Sequence, residues 1–316
     1  MPDRILERIA KESGIPQLLE VLSERLDASD LQSLLLAVYR YRAPRRSPAA
    51  VLTDYERNRF VGPAELDPRI LLEFDRSAYA LLPEGFEPLE LSPVCPLGTH
   101  SAIATVSQDK VLTTTRNVEV AADSTNLLAL ESAIRRRKAL RRDPRAREPI
   151  RLAASQRLVR GQPFDDPHST SHFRIFSLTT AGRDQGSYRF ETRSLEEHIG
   201  FYLRLFASAT RLAPADVRVA LTPIDPGRQS ALEAELLPRL AAAFPEVRFG
   251  IDLDRMEGRG YYEGMSFKIY GTHEGDELDV GDGGFTSWTQ ELLSNQKERL
   301  LISAVGSQRI CSLMCA

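Results

Sequence analysis

The sequence lacks any apolar run long enough to cross a membrane, which takes about 20 mostly apolar residues. Its first residues also lack the charged start, apolar middle and small-residue cleavage site of a signal peptide. Both absences argue against a membrane or secreted protein. We therefore expect a cytoplasmic chain that makes no membrane contact.

Cysteine is scarce, with three residues in 316. Cys95, Cys311 and Cys315 are too few and too scattered for a disulfide framework. No cluster of cysteine and histidine has the spacing of a zinc site. We expect all three cysteines to be reduced thiols packed in the interior.

Several common phosphate-binding and catalytic motifs are also missing. The sequence has no Walker A loop, no G-x-G-x-x-G turn after a strand and no nucleophile elbow. The net charge of −3 gives no overall attraction to nucleic acid. Hydrophobic residues at 42% and charged residues at 27% are ordinary values for a globular protein.

Positive charge is concentrated in one segment, because nine of the positions from 135 to 151 are arginine or lysine and only two are acidic. The preceding residues predict a helix that begins at Asp123 or Ser124. Residues 135–142 then fall in its last turns, where positive charge suits the helix dipole. A patch that contacts RNA phosphates is the alternative interpretation. We expect no strong binding of tRNA.

The first 60 residues are helical by pattern. Leucines at positions 18, 22 and 26 repeat with a spacing of four, and Ser29 with Gln32 forms a capping box for a second helix. Prolines and glycine interrupt the periodicity between residues 43 and 68. We predict a helical appendage at residues 1–60, serving packing or dimerisation, and a core at residues 65–316.

A hairpin is predicted between Ile150 and Asp184, where two β-like runs flank a polar loop that contains Pro163 and Pro167. Arg160 stands where the first run ends. Its planar guanidinium could bind two oxygens of a phosphate, since it keeps its charge at any working pH. A surface ion pair is the alternative role for this arginine.

The rest of the core mixes strands and helices. Residues 102–106 and 110–116 look like strands, and Ser194 with Glu197 forms a capping box that predicts a helix start. Strands collected in the middle of the chain with helices around them predict an α+β fold.

Four segments in order resemble the motifs of a known fold. GFEPLELSP resembles motif 1 with its proline at Pro93, and RLVRGQ followed by HFRIF resembles motif 2. The YYEGMSFKIYG strand precedes a GG turn, and AVGSQRI resembles motif 3, with Gly306 and Arg309 kept. Residues 68–312 thus resemble the catalytic core of class II aminoacyl-tRNA synthetases. The nearest branch is histidyl-tRNA synthetase and its paralogue, the regulatory subunit of ATP phosphoribosyltransferase.

The resemblance implies an antiparallel sheet flanked by helices that binds ATP and Mg²⁺. Arg160 and Arg309 would be the catalytic arginines, on the α-phosphate and toward the γ-phosphate. The implied ATP-binding residues are Arg160, Gln162, Phe176 and Arg309, and the implied substrate-binding residues are Asp123, Thr125, Glu257, Tyr261, Tyr262, Gly283 and Gly284. The pair of Asp123 and Thr125 suits an ammonium group, although a helix N-cap explains both residues equally well.

The departures from the family pattern bear on the substrate. The motif 2 glutamate is Gln162, and Glu257 stands where histidyl enzymes carry an arginine. Their histidine-selecting positions fall near Leu178 and Gly182, so we expect a substrate other than histidine. The printed sequence ends seven residues after Arg309, and we expect no anticodon-binding domain.

Two functions remain open. The chain could be a stand-alone ligase that activates an amino acid with ATP and transfers it to a small molecule, a carrier or an RNA. It could instead be a non-catalytic paralogue that senses a ligand and acts through a protein partner. We also expect a homodimer whose interface contains Ile70, Leu71, Phe74 and Pro93, because motif 1 forms an interface in this fold.

Overall fold

The computed structural model describes residues 2–162 and 170–314. Pro163 and Pro167 of the predicted loop, and Cys315, lie outside the described residues. The strands are β1 Phe86–Pro88, β2 Val94–Pro96, β3 Val118–Val120, β4 Ile150–Val159, β5 His172–Arg183, β6 Val217–Pro223, β7 Arg248–Ile251, β8 Glu263–His273, β9 Asp276–Thr286 and β10 Glu298–Val305.

The α-helices are α1 Pro2–Ser13, α2 Leu18–Glu20, α3 Ala28–Arg42, α4 Pro48–Arg57, α5 Pro68–Ala80, α6 Ser124–Arg142, α7 Arg189–Ala209, α8 Gln229–Ala231, α9 Leu237–Ala243, α10 Trp288–Leu293 and α11 Ser307–Met314. Shorter 3₁₀ and π segments are Val21–Arg25, Ala43–Arg45, Thr99–Ile103, Gln108–Lys110, Pro214–Asp216, Pro226–Arg228 and Leu232–Leu236. Over these described segments, no helix combines the length and the apolar character that a membrane crossing needs.

Eight strands form one sheet in the order β1-β4-β5-β10-β9-β8-β6-β7. The β1–β4 and β6–β7 pairs are parallel, and the other pairs in this sheet are antiparallel. With helices packed on the sheet, this architecture confirms the predicted α+β class. The predicted hairpin is also confirmed, since β4 and β5 pair from Ile150 opposite Ala181 to Val159 opposite His172.

Successive residues of β5 point to opposite faces of the sheet, so neighbouring side chains pack against different helices. Phe176 and Leu178 are fully buried in the main apolar core, which also contains much of α7. On the other face the Ser177 hydroxyl lies 2.7 Å from that of Ser124 in α6. Small hydroxyl residues therefore allow α6 to pack close to the sheet.

Two helix starts differ from the predicted capping boxes. The α3 cap is Asp27, whose side chain accepts hydrogen bonds from the backbone N–H groups of Ser29 and Asp30. Helix α7 begins at Arg189, so Ser194 lies inside the helix and is buried. In both cases the helix extends toward its N-terminus beyond the predicted start.

The predicted strands at residues 102–106 and 110–116 do not form, and the first region is a π segment, Thr99–Ile103. The buried carboxylate of Glu119 accepts hydrogen bonds from the backbone N–H groups of Gly98 and His100. This buried acceptor satisfies backbone groups that a strand ladder would otherwise use.

The apolar face of α5 packs inside its own chain. Leu71 and Phe74 are buried in the main core, where the dimer prediction placed them at an interface. Leu72 is the α5 residue that exposes a large apolar side chain, at 64%. The predicted interface residues at positions 71 and 74 are therefore wrong. None of the described side chains in α1 to α4 is buried.

Candidate active site

Two adjoining cavities open on one side of the sheet. The larger measures about 500 Å³ and the smaller about 320 Å³. Asp123, Arg160 and Asp282 line both cavities, so these three residues mark the junction. A two-chambered site of this kind can hold two ligands with their reacting groups side by side.

Arg160 follows directly after β4, as the sequence predicts. Its Nε donates to the carbonyl oxygen of Ala122 at 3.0 Å, and its Nη2 lies 3.5 Å from Asp123 Oδ2. Its guanidinium carbon lies 5.0 Å from the centre of the Phe173 ring. The arginine is thus held by α6 and β5 together while it faces both cavities.

Asp123 caps α6 and also lines the site, so one of the two roles that the sequence left open is confirmed and the other stays a prediction. Its Oδ1 accepts hydrogen bonds from the backbone N–H and the hydroxyl of Thr125, so it caps α6. Its Oδ2 faces Arg160, and the residue lines both cavities. Thr125 is buried, and its hydroxyl orients the Asp123 carboxylate.

Tyr261 and Tyr262 form a wall of the smaller cavity. The Tyr262 hydroxyl donates to Asp282 Oδ2 at 3.1 Å. A Cβ at Gly284 would lie 2.6 Å from Tyr262 Cδ1, and one at Gly283 would lie 2.5 Å from Ser303 Cβ. Gly284 therefore leaves room for the Tyr262 ring, whereas Gly283 faces Phe267 and Ser303 inside the sheet and does not contact the tyrosine.

Arg255 places a buried cation near the junction, two positions before Glu257. Glu257 points away from the cavities, with 77% of its side chain exposed and its carboxylate 2.6 Å from Lys268 Nζ. Arg255 is buried, and its Nη2 lies 3.4 Å from Asp282 Oδ2. The sequence assignment of Glu257 as a substrate contact is therefore not supported by its position.

Phe176 does not reach the cavities. It is fully buried and stacks on Phe201 at 5.6 Å, on the opposite face of β5 from the site. Phe173 lines the larger cavity instead, because three positions along a strand reverse the face. The predicted ATP contact at Phe176 is therefore not supported by its position, and Phe173 is the phenylalanine of HFRIF that faces the cavity.

Gln162 and Arg309 lie at different cavities. Gln162 lines the smaller one and not the larger one that contains Arg309. Arg309 lies in α11 just after β10 and lines the larger cavity, together with Gly306 and Phe173. Arg160 and Arg309 therefore face the same chamber, as the sequence predicts.

The end of the helical appendage contacts the base of the hairpin loop. Arg59 Nη1 donates to the carbonyl oxygen of Gln162 and to the Ser171 hydroxyl, both at 2.8 Å. Its Nη2 donates to the carbonyl oxygen of Gly161. Pro63 and the residues that follow it contribute to the wall of the larger cavity. One side chain thus joins both ends of the loop.

Cys95, His100 and Glu119 place three metal-binding atom types within 4.8 Å of one another. Their hydrogen bonds argue against a metal here. Both carboxylate oxygens of Glu119 accept N–H donors, and His100 Nε2 lies 3.0 Å from the backbone nitrogen of Ala122. The lone pair that a metal would need on this histidine is already used, so we assign the cluster a structural role in which His100 lines the smaller cavity and Glu119 holds the backbone behind it.

Asp282 has an unusual environment at the junction. Burial and the neighbouring charge of Asp279 raise the pKa of Asp282 to about 6, although Arg255 opposes the shift. A carboxylate that ionises with difficulty gains most from a nearby cation. The charge on Asp282 at the junction therefore depends on the cations around it, of which Arg255 is one.

Comparisons with known proteins bear on the fold. No protein-family model matches this sequence, and no curated protein matches it. Solved structures do match. The apo histidyl-tRNA synthetase of S. aureus superposes with a TM-score of 0.59 at 11% identity, covering 80% of this chain and 68% of that one.

Two further structures agree with it. An ATP phosphoribosyltransferase regulatory subunit/histidyl-tRNA synthetase from Bacillus halodurans C has a TM-score of 0.57 at 14% identity, covering 80% of this chain and 82% of that one. A histidine–tRNA ligase subunit from Alicyclobacillus acidocaldarius has a TM-score of 0.55 at 12% identity, covering 79% and 94%. The fold is therefore that of a class II synthetase catalytic core. Within that class the chain is similar to histidyl-tRNA synthetases and to this regulatory subunit.

The prediction from the sequence did not include four residues at or beside the site: Phe173, Arg255, Asp282 and Asn126. Strand alternation could have separated Phe173 from Phe176. Arg255 lies two positions from the place where the resemblance puts an arginine, which is the one sequence signal that pointed to it. Asn126 carries no local pattern, because only the folded wall places it beside His100, at 2.6 Å.

Proposed function

We propose that the chain is a ligase that activates an amino acid with ATP as an acyl-adenylate and passes the acyl group to a small molecule, a carrier or an RNA. One observation carries the proposal: two cavities of different size meet at Arg160, Asp123 and Asp282. The larger would hold ATP and the smaller the amino acid, so that the reacting groups meet at the junction.

In the proposed reaction, a carboxylate oxygen of the amino acid attacks the α-phosphorus of ATP. A new oxygen–phosphorus bond forms, and the bond to the β-phosphate oxygen breaks, so pyrophosphate leaves with the electron pair. Negative charge grows on the α-phosphate oxygens, where the Arg160 guanidinium would offset it. Arg309 would contact the outer phosphates, and Phe173 would offer an aromatic face in the same cavity.

The amino group of the substrate would lie at Asp123. This carboxylate lines the junction and already has one oxygen fixed by Thr125, so the other can accept from an ammonium. Asp282 adds a second negative charge from β9. An ordered carboxylate costs little reorganisation when the ligand binds.

Mg²⁺ would be held beside Asp279 and Asp282, in competition with Lys268, whose Nζ lies 2.9 Å from Asp279 Oδ2. Both carboxylates border the larger cavity, and their mutual repulsion is felt in the raised pKa of Asp282. Magnesium prefers such oxygen ligands and is commonly held by one or two carboxylates plus phosphate oxygens. When bound, the ion would neutralise phosphate charge.

The proposal is tested by calorimetry with ATP and Mg²⁺, followed by ATP–pyrophosphate exchange over the amino acids. We expect ATP binding and exchange with at least one amino acid. Absence of ATP binding would refute both the ligase and a nucleotide sensor. ATP binding without exchange for any acid would leave only the sensor.

A regulatory, ligand-sensing protein that acts through a partner is the second candidate. Helices α1 to α4 favour it, because they expose apolar side chains such as Ile5, Leu19, Val51 and Tyr55. One solved structure with this fold bears the name of a regulatory subunit. Arg255 weighs toward the ligase, since it restores a buried cation beside the junction.

We also propose a homodimer. Because Leu71 and Phe74 pack in the core, Leu72 and Ile70 are the α5 residues that remain for such an interface. Light scattering at micromolar concentration should return twice the mass of 35.3 kDa. A monomer mass would contradict the proposal.

A further inference from the structure

We propose that the smaller cavity selects an amino acid whose side chain carries a carboxylate or amide oxygen, and that Asn126 recognises this oxygen. The inference rests on the proposed function, because it names the substrate class of the same site. Its starting point is a chain of hydrogen bonds that fixes how the Asn126 amide is turned.

The first link is the tautomer of His100. The backbone nitrogen of Ala122 lies 3.0 Å from His100 Nε2. A backbone N–H can only donate, so Nε2 accepts and the ring proton is on Nδ1. His100 is buried, so water does not compete for these hydrogen bonds.

The second link is the orientation of Asn126. His100 Nδ1 lies 2.6 Å from Asn126 Oδ1, and the Nδ1–H donates to this oxygen. The amide cannot turn over without placing two donors face to face. Its NH₂ group is therefore the part that remains for other contacts.

The third link is the missing acceptor. Asn126 is fully buried and lines the smaller cavity, yet its Nδ2 has no hydrogen-bond partner among the described residues. A buried donor without an acceptor is unfavourable, so a ligand that supplies an acceptor oxygen gains over one that does not. A neutral donor in a fixed direction is a selective element of the site.

The charges around the cavity indicate which ends of the ligand lie where. Asp123 and Asp282 supply negative charge at the junction, which suits the α-ammonium group. Lys110 and Gln162 line the same cavity and supply a cation and an amide. A side chain with a carboxylate would satisfy Lys110 as well as Asn126, so we expect acidic amino acids to bind better than their amides.

Apolar and basic side chains fit this cavity poorly. An apolar side chain would leave the Asn126 NH₂ buried and unpaired. A basic side chain would bring further donors against Asn126 and Lys110. Sites built to hydrogen-bond a substrate group reject analogues that lack it far more strongly than apolar pockets reject an extra group.

The test is calorimetry with L-glutamate, L-aspartate, L-glutamine and L-norleucine, each with Mg²⁺ and a non-hydrolysable ATP analogue and each again without nucleotide. We expect the best oxygen-bearing amino acid to bind roughly 10- to 100-fold more tightly than norleucine. Equal or tighter binding of norleucine would overturn the inference. Loss of ATP binding would instead refute the proposed function, while the measurements without nucleotide still decide the selectivity.

Two variants of one residue provide matched comparisons. Asn126→Leu removes the donor, and we expect it to abolish the preference over norleucine. Asn126→Asp keeps the size and the bond from His100 but replaces the donor with an acceptor, so glutamate binding should fall more than glutamine binding. Wild-type selectivity in both folded variants would overturn the inference, and if neither folds the wild-type comparison decides.

A third variant distinguishes recognition of a side-chain carboxylate from recognition of a side-chain amide. Lys110→Met removes the cation at the cavity wall and leaves Asn126 in place. We expect glutamate affinity to fall to that of glutamine while glutamine affinity changes less than threefold. If glutamate keeps its advantage, Lys110 does not read the charge and the preference for acids is wrong.

Discussion

Arg136 and Glu298 form an ion pair in which neither side chain is exposed: Arg136 Nε lies 2.7 Å from Glu298 Oε2, and Nη2 lies 2.9 Å from Oε1. The pair joins α6 to β10. The remaining N–H groups of Arg136 donate to the carbonyl oxygens of Glu148 and Ala146. A residue from the basic run is thus part of the interior.

We predict that Arg136→Met lowers the free energy of unfolding by about 3–5 kcal/mol, because it leaves the Glu298 carboxylate buried without its partner. Urea denaturation followed by circular dichroism measures the change. Arg136→Met combined with Glu298→Met should recover much of the loss, since no buried charge remains. An unfolding midpoint unchanged in the single variant would contradict this account.

Several other residues of the basic run are exposed to solvent. Arg137, Arg141 and Arg142 are exposed on α6, whereas Arg135 pairs with Glu131 at 2.7 Å. We predict tRNA binding weaker than micromolar at physiological salt. Fluorescence anisotropy over a salt series measures it, with the triple serine variant of the exposed arginines as control. Sub-micromolar binding that falls steeply with salt and disappears in the variant would contradict the prediction.

We predict that Arg160→Ala lowers ATP–pyrophosphate exchange by about 10²–10³-fold, the usual cost of removing one group that stabilises transition-state charge. Arg160→Lys should recover only part of the rate, because an ammonium cannot make the two-pronged contact of a guanidinium. Thermal unfolding near that of the wild type serves as the control. Exchange within threefold of wild type in the alanine variant would exclude Arg160 from the reaction.

Arg255 and Glu257 offer a matched comparison. Arg255→Met should lower exchange by at least about tenfold and raise the KM for the amino acid, because Asp282 would lose the cation that favours its charged form. Glu257→Gln should stay within twofold of wild type, since this side chain is largely exposed. Steady-state exchange kinetics compare the two. A larger loss of exchange in Glu257→Gln than in Arg255→Met would contradict a role for Arg255 in the site.

His198 predicts how stability depends on pH. Its Nδ1 lies 2.7 Å from the Ser303 hydroxyl and its Nε2 lies 2.9 Å from that of Thr180. Burial, with a smaller effect from Arg151, lowers the pKa of His198 to about 3. The folded chain therefore keeps this histidine neutral at a pH where the unfolded chain, with a pKa of about 6.5, takes up a proton.

Stability from this group is fully present above about pH 6.5 and is lost as the pH falls below that value, at up to about 1.4 kcal/mol per pH unit. His198→Gln keeps two hydrogen-bonding atoms but does not titrate. Urea denaturation at pH 5 and pH 7.5 should show a smaller pH effect in the variant. The same pH effect in both proteins would contradict the assignment.

Features that depend on local chemistry could be predicted from the sequence. The β4–β5 hairpin, the cap at Asp123 and the place of Arg160 follow from alternation, capping and turn residues. Features that depend on distant partners could not. The segment after Gly98 was predicted as a strand, but it forms a π segment whose first backbone N–H groups are bound by the distant Glu119 carboxylate.

The same distinction applies within the site. Arg309 follows a strand at a position that its motif defines, so the sequence located it. Arg255 contacts Asp282 from a turn rather than from a regular element. Because it lies two residues before the position where the arginine was expected, the sequence did not identify it. Asn126 becomes a candidate only when His100 and Ala122 are placed beside it.

Arg59 has a consequence for how the chain can be divided. The Arg59 guanidinium binds backbone oxygens before the hairpin loop and a hydroxyl after it. The domain boundary predicted at residue 60 therefore separates Arg59 from the residues of the core that it binds. A shortened protein that begins at residue 65 would keep every predicted motif but would lose the hydrogen bonds of Arg59. One that begins ahead of Asn58 would retain these contacts, so the smallest unit in which both ends of the hairpin loop are held starts several residues earlier than the motifs suggest.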